Sequence, residues 1–344
     1  MDNVPKISVI VPIYKAEKYI GRCARTLFEQ TLTGIEYIFI DDCTPDHSME
    51  ILDKVVEEYH TRLAMECKTV RTMRMPVNSG QAAVRLQGIM AATGRYIIHC
   101  DSDDWVDCNA YQIMYEKAIN EQADIVICDY VETDEAFQLN QTGKENCFNL
   151  SSARNKPKRP SVTPIKVGAL SCEKGKCIKD MMLLKVSWSL CNKLVKHTLY
   201  NQIEKFPKDY MGEDMALTLP LMIKSKKIAY CPHVYYYYFI NMASTSHQYS
   251  RDDIIRRYES VERNLDIVKR AFVVAHRSYR KALRYIEFHH KEQLMPYRKD
   301  SVVKRLISKD FYTVMFTVAL NRELTYKPRI KAAVFIMLKL LMII

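Results

Sequence analysis

The sequence predicts an α/β fold, a mostly parallel sheet flanked by helices on both faces, with a helical extension at the C-terminal end. Two observations predict it. From residue 1 to about 130, short β-branched runs alternate with stretches of helical periodicity, the pattern of a parallel sheet with crossover helices. From Ile254 onward, apolar positions recur at spacings of four and three, as on an amphipathic helix.

The elements follow in order. Ile7 to Ile13 is a near-continuous apolar run, as expected of a strand buried on both faces. A helical stretch covers about Glu17 to Gln30, Glu36 to Ile40 reads as the second strand, and Ser48 to Tyr59 as the second helix. Thr69 to Met75 is a third strand and Gly80 to Ala92 a helix whose end Gly94 marks. Tyr96 to Cys100 and Ile125 to Cys128 are further strands, with a helix around Ala110 to Asn120 between them. The stretch 142–164 is rich in Asn, Ser, Lys and Pro, including Pro157, Pro160 and Pro164, and reads as an exposed insertion. A helix is expected from about Met181 through Val195, and an aromatic strand at Val234 to Phe239. Ile254, Tyr258, Val261, Leu265, Val268 and Phe272 then mark a long amphipathic helix. The expected division is residues 1–130, residues 131–250 as the other half of the same domain, and residues 251–344 as the extension.

Composition narrows the function. Of 344 residues, 48% are hydrophobic and 26% charged, ordinary for a globular chain with a sizeable core. Lys plus Arg outnumber Asp plus Glu by 51 to 40, a net charge of +11 that favours anionic partners. No helix-turn-helix, zinc-finger or RNP signature accompanies it, so nucleic acid is not among the expected partners. The eleven cysteines lack C-x-x-C spacing and several sit in strand-like runs, where a free thiol acts as a small hydrophobe. Together with an N-terminus that enters the first strand directly, they lead us to expect a cytoplasmic protein.

The tail, residues 327–344, joins Lys327, Arg329 and Lys331 to the apolar run Ala332 to Ile344, which only Lys339 interrupts. A helix of that run spans about 20 Å, short of the roughly 30 Å hydrocarbon core. Two readings remain: a helix lying on an anionic membrane surface at the cytoplasmic face, or one docking its apolar side on the protein.

Three acidic clusters carry the chemistry. Asp101, Ser102, Asp103, Asp104 and Trp105 directly follow a buried strand, where open α/β sheets bind ligands. Crowded carboxylates there call for a hard divalent cation, Mn²⁺ or Mg²⁺, which commonly shares its shell with substrate phosphates. Asp41 and Asp42 end the second strand at the same sheet edge, although Asp46 and Ser48 could make this a helix cap instead. Gly212, Glu213 and Asp214 supply a carboxylate suited to a general base, or simply a helix start. The first strand runs into Pro12-Ile13-Tyr14 rather than a G-x-G-x-x-G turn, which argues against a dinucleotide dehydrogenase.

In order and spacing these segments resemble the inverting glycosyltransferase family 2, over roughly residues 5 to 245. The resemblance is carried by Ile7 to Tyr14 with Tyr19-Ile20, by Phe39 to Asp46, and by Asn78-Ser79-Gly80 with Arg85. It continues through Ala91 to Tyr96, Asp101 to Trp105, Trp188, Asn192-Lys193-Leu194 and Gly212 to Asp214. It implies a GT-A type sheet and transfer of a sugar from a nucleotide-diphosphate donor, UDP first, to a saccharide or lipid-linked saccharide, as in surface polysaccharide synthesis. On this resemblance Pro12, Ile13, Tyr14, Glu17, Asp42 and Arg85 line the nucleotide pocket with Asp101 and Ser102. Asp101 and Asp103 hold the metal, Asp104 and Trp188 meet the donor sugar, and Asp214 with Glu213 serves the acceptor hydroxyl.

The chain departs from the family at Leu86, and at Phe239 and Asn241, where an Arg and a His are usual. His247 or Lys193 would then have to supply the basic contact to the diphosphate. A catalytically silent nucleotide-binding membrane scaffold is the alternative reading.

Overall fold

The computed structural model describes residues 4–133, 173–208, 211–241, 250–273, 279–297, 303 and 311–340. The expected insertion at 142–164 lies outside the described residues. The chain folds as two compact units. The first is Met1–Lys174, Ser189–Lys208 and Lys224–Met242; the second is Gly175–Trp188, Asp209–Ile223 and Ala243–Ile344.

The first unit is built on an eight-stranded sheet. In chain order its elements are β1 (Ile7–Ile13), α1 (Ile20–Phe28), β2 (Ile35–Asp41), α2 (Ser48–Met65), β3 (Thr69–Arg74) and α3 (Gln81–Ala91). Then come β4 (Tyr96–His99), β5 (Trp105–Val106), α4 (Ala110–Asn120) and β6 (Ile125–Thr133). The strand order is β3-β2-β1-β4-β7-β6-β8-β5, with β7 at Lys193–Lys196 and β8 at Ile228–Phe239. β1 pairs in parallel with both β2 and β4, and β2 with β3, so these four strands end at one edge. From β1 the chain builds β2 and β3 to one side and β4 to the other. That reversal opens a crevice at the carboxyl ends of β1 and β4.

Every residue of β2 is buried, and six of the seven in β1, which is why both read as unbroken apolar runs. Helix α3 lies against them. A Cβ on Gly88 would come within 2.4 Å of Ile10 Cγ2 and 2.8 Å of Ile40 Cδ1, so glycine sets how closely α3 approaches the sheet. Gly94 has the same use beyond the helix, where a Cβ would meet Ser8 N at 2.6 Å.

Two expectations on this part of the chain are corrected. The helix expected from Met181 through Val195 is instead α5, Lys174–Met182, and the chain turns at Leu184 with φ +59°. Lys193–Lys196 is strand β7, antiparallel to both β4 and β6. Its side chains are buried up to Val195, so the sheet's need to join two parallel blocks overrides the local helical pattern. The aromatic strand also begins earlier than expected, at Ile228.

In the second unit, α7 (Glu213–Lys224, after the short α6 at His197–Tyr200) and α8 (Arg251–Val273) are followed by α9 (Arg280–Lys291), α10 (Phe311–Ala319) and α11 (Tyr326–Leu340). Helix α8 buries Tyr258, Val261, Leu265, Val268 and Phe272, the stripe the sequence marks. Helix α11 begins at Tyr326 and buries Ala332 and Ile336, with the Phe335 ring 6.3 Å from that of Phe288 on α9. Among the described residues no helix is long and apolar enough to cross a membrane.

Candidate active site

The crevice at the carboxyl ends of β1 and β4 is assembled from three loops. The β1–α1 loop is clasped to the β2–α2 loop by side chains. Asp46 accepts Glu17 N (3.0 Å), Thr44 Oγ1 (2.7 Å), and the Ser48 hydroxyl (2.6 Å), while Ser48 Oγ receives Ala16 N at 3.0 Å. Glu17 in turn accepts His47 N at 3.2 Å, at the start of α2. Pro12 is half-buried and Ile13 buried in β1, while Tyr14, with 44% of its surface exposed, and Glu17 face solvent. Asp41 accepts Thr44 N at 2.7 Å and lies 3.4 Å from Arg74 Nε.

Asp42 is buried and its two oxygens accept Ser79 N at 2.7 Å and Gly80 N at 2.9 Å. Gly80 has φ +81°, a conformation that glycine reaches without penalty, and it leads into α3. Asp42 thereby fixes the first turn of α3, and α3 carries Gln81 and Arg85 one turn apart. Both reach Asp101 Oδ1, at 2.8 Å and 2.9 Å. Arg85 is almost fully buried, so its guanidinium is committed to the carboxylate in a charge-assisted pair.

The acidic turn after β4 is pinned at several points. Tyr236 of β8 accepts Asp101 N at 3.0 Å and donates its hydroxyl to Asp104 Oδ2, so one phenol ties both ends of the turn. Asp104 is fully buried, and its other oxygen accepts Phe239 N at 2.8 Å. Its carboxyl is held well above the usual range by burial and by the neighbouring Asp103 and Asp101. Asp103 accepts Asn241 Nδ2 at 3.2 Å, and burial together with Asp101 pushes its carboxyl up to about 6. Ser102 lies half-buried between them.

The donor set suits a divalent cation. Asp101 has one oxygen committed to Gln81 and Arg85, while the other receives the soft thiol of Cys191 at 3.5 Å. Asp103 has one oxygen bonded to Asn241, and burial beside Asp101 disfavours its charged form unless a cation joins it. Two carboxylates fit Mg²⁺ or Mn²⁺, which take one or two protein carboxylates and complete their shell with water and phosphate. Among the described residues no three His, Cys, Asp or Glu side chains group to hold a metal by themselves.

Several residues here escaped the sequence reading. Arg22, Gln81 and Tyr236 contact the turn from positions far away in the chain. The tyrosine run at 235–238 was the signal for the last. Tyr236 braces the turn, and Tyr237 stacks flat on Trp105 at 5.4 Å, so the strand reading of that run holds.

Other expected residues lie elsewhere. Asp104 has both oxygens taken by protein donors and no exposed surface, so the expected sugar contact gives way to an internal brace. Lys193 is buried and donates Nζ to Ser189 O at 2.6 Å and to Asn192 Oδ1 at 2.8 Å, so it is not presented to a diphosphate. His247 lies outside the described residues. Trp188 belongs to the second unit, stacked on His290 at 6.2 Å.

Glu213 and Asp214 also belong to the second unit, at the start of α7. Gly212 precedes them at φ +81°. Helix α8 anchors this loop: Ser260 Oγ receives Met211 N at 3.0 Å and Asn264 Nδ2 donates to Met211 O at 2.8 Å. Glu213 is buried and Asp214 half-buried, so Asp214 is the more accessible carboxylate.

Comparison with known proteins bears on the family and the fold. Residues 8–173 match Glycosyl transferase family 2. Glycosyltransferase GlyA of Streptococcus pneumoniae is 28% identical over 241 residues, covering 70% of this chain and 31% of that protein. The chain spans only 31%, 45% and 34% of the length of three curated relatives that it matches. In structure it is similar to S. aureus TarS 1-349 in complex with UDP-GlcNAc (TM-score 0.53, 17% identity, 95% of this chain and 89% of that one). It is also similar to the mannosyltransferase PcManGT of Pyrobaculum calidifontis in complex with GDP-Man and Mn²⁺ (TM-score 0.52, 14% identity, 96% and 86%). At these identities the two structures speak for the fold.

Proposed function

We propose that this chain, whose residues 8–173 match Glycosyl transferase family 2, is an inverting transferase of that family that moves a sugar from a nucleotide-diphosphate donor to a saccharide or lipid-linked saccharide. The observation that carries this reading is the acidic turn at the carboxyl end of β4, where Asp103 accepts from Asn241 through one oxygen and the second oxygen of Asp101 meets only the weak Cys191 thiol, so both carboxylates can turn to a cation.

Pro12, Tyr14 and Glu17 form the wall of the nucleotide pocket, with Asp42 and Ser79-Gly80 at its base. Asp42 serves chiefly by holding that loop, and its remaining lone pairs accept from the nucleobase. Arg85 keeps Asp101 ionised and aimed. A Mn²⁺ or Mg²⁺ held by Asp103 and Asp101 would supply charge stabilisation for the departing diphosphate. Asp214 takes the proton of the acceptor hydroxyl, whose oxygen attacks the anomeric carbon from the face opposite the diphosphate. Bond formation and departure on opposite faces invert the anomeric centre. UDP is the first donor to try, in keeping with the UDP-GlcNAc bound by TarS.

Helix α11 supports a membrane-facing role. Tyr326, Ile330, Val334 and Met337 are exposed by 66%, 57%, 44% and 60%, and recur on one helix face beside the exposed Lys327. The opposite face docks on the protein through Ala332 and Ile336. Both readings of the tail are thus compatible, with anionic lipid on the outer face.

The test of the activity is release of UDP from UDP-sugars in the presence of acceptor extracts. Wild type should turn over, and Asp214→Asn should lose about 10²-fold or more while still binding nucleotide. Equal turnover by Asp214→Asn would remove the base from this mechanism. No turnover by wild type with any donor would favour the silent scaffold.

A further inference from the structure

Arg22 sits on the first turn of α1, outside every role assigned so far. Its Nη2 donates to the carbonyl oxygen of Asp103 at 2.6 Å. Its guanidinium carbon stands 3.8 Å from the centre of the Trp105 ring and 5.5 Å from that of Phe239. Among the described residues, its buried Nε and Nη1 have no hydrogen-bond partner. Leaving two charged N–H groups buried and unpaired is costly, and stacking on the tryptophan face returns only part of that. What compensates is position. The guanidinium lies beneath a turn with carboxylates at 101, 103 and 104, and Asp104 accepts from a phenol and a backbone amide, both uncharged. Arg85 engages the Asp101 end of the turn and Arg22 the other.

We propose that Arg22 is a positioning residue, a resident cation that holds the Asp103–Asp104 end of the acidic turn in its ion-receiving shape before a divalent ion arrives. The inference rests on the metal-site reading above. It assigns Arg22 no contact with substrate. Arg22 acts through the Asp103 carbonyl and through the field it places under the turn.

The test compares wild type with Arg22→Met, which fills the slot between Trp105 and Phe239 without charge, and Arg22→Lys, which keeps the charge without the flat group. Unfolding midpoints of the full chain are measured in EDTA and in Mn²⁺, with no nucleotide. The proposal expects the methionine variant to melt lower than wild type in EDTA, and Mn²⁺ to remove more than half of that deficit. Its shift on adding Mn²⁺ then exceeds that of wild type, because the ion supplies the missing charge. The lysine variant should recover most of the wild-type midpoint in EDTA. A methionine deficit that Mn²⁺ leaves unchanged would overturn the proposal, since packing alone would behave that way. So would a lysine variant as impaired as methionine, an outcome that decides the matter even if the methionine variant fails to fold. Failure of the metal-site reading looks different: Mn²⁺ then shifts not even wild type.

Discussion

At the scale of single residues, two adjacent carboxylates divide the labour of the acidic turn. Asp104 is fully enclosed and accepts from Tyr236 and Phe239, so Asp104→Asn would aim an amide N–H₂ at one of two donors. A loss of about 1–3 kcal/mol of stability is expected in urea denaturation. Asp103→Asn removes like charge from beside Asp101 and should leave stability level or slightly higher, while abolishing the Mn²⁺-dependent part of nucleotide binding. If both variants lost stability alike, the two residues would share one structural role. The aspartates themselves were legible in the sequence because they follow a buried strand. Their partners were not: Arg22, Gln81, Tyr236 and Asn241 come from three other segments, 20 to 138 residues away, and only the folded register brings them to the turn.

At the scale of elements, the parallel strands were legible where both faces are buried, as in β1 and β2, because burial forces unbroken β-branched runs. Strands β5 and β7 were not, since β5 has only two residues and β7 lies in a stretch of helical pattern that the sheet overrides. Gly88 was also silent in sequence; its meaning is the 2.4 Å approach to Ile10, which seats α3 so that Gln81 and Arg85 reach Asp101. For α11 the tail's composition left two readings open, lipid surface or docking on the protein, and the fold buries Ala332 and Ile336 while leaving Ile330 and Val334 exposed. Ile330→Asp with Val334→Asp alters only exposed positions, so stability should change by no more than about 0.5 kcal/mol. Sedimentation with phosphatidylglycerol vesicles should fall at least about tenfold, and pure phosphatidylcholine should bind poorly throughout. Vesicle binding that survives the double substitution would place the lipid contact elsewhere.

At the scale of the whole molecule, buried histidines set the acid limb of stability. His99 is fully buried, and burial lowers its pKa well below the ordinary value; burial and His289 lower that of His290 to about 3. Both stay neutral in the folded chain while the unfolded chain takes up protons near pH 6.5. Their contribution is therefore complete above pH 7 and is lost as pH falls, by roughly 2 kcal/mol at pH 5 for His290. Asp103, with its carboxyl raised to about 6, runs the other way, its contribution fading as pH rises through that value. His290→Phe should flatten the acid limb of the second unit, read by the fluorescence of Trp188 stacked on it. An acid limb unchanged by that substitution would assign the loss to other groups.

The central claim is that the crevice at β1 and β4 binds a nucleotide diphosphate through a cation held by Asp103 and Asp101. Calorimetric titration of UDP and GDP into wild type and Asp103→Ala, in Mn²⁺ and again in EDTA, tests it most directly. The account predicts that one diphosphate binds wild type at least about tenfold, or ~1.4 kcal/mol, more tightly with Mn²⁺ than with EDTA, and that Asp103→Ala erases the difference. Binding that is indifferent to the ion and to Asp103, or no binding of either diphosphate, would contradict it.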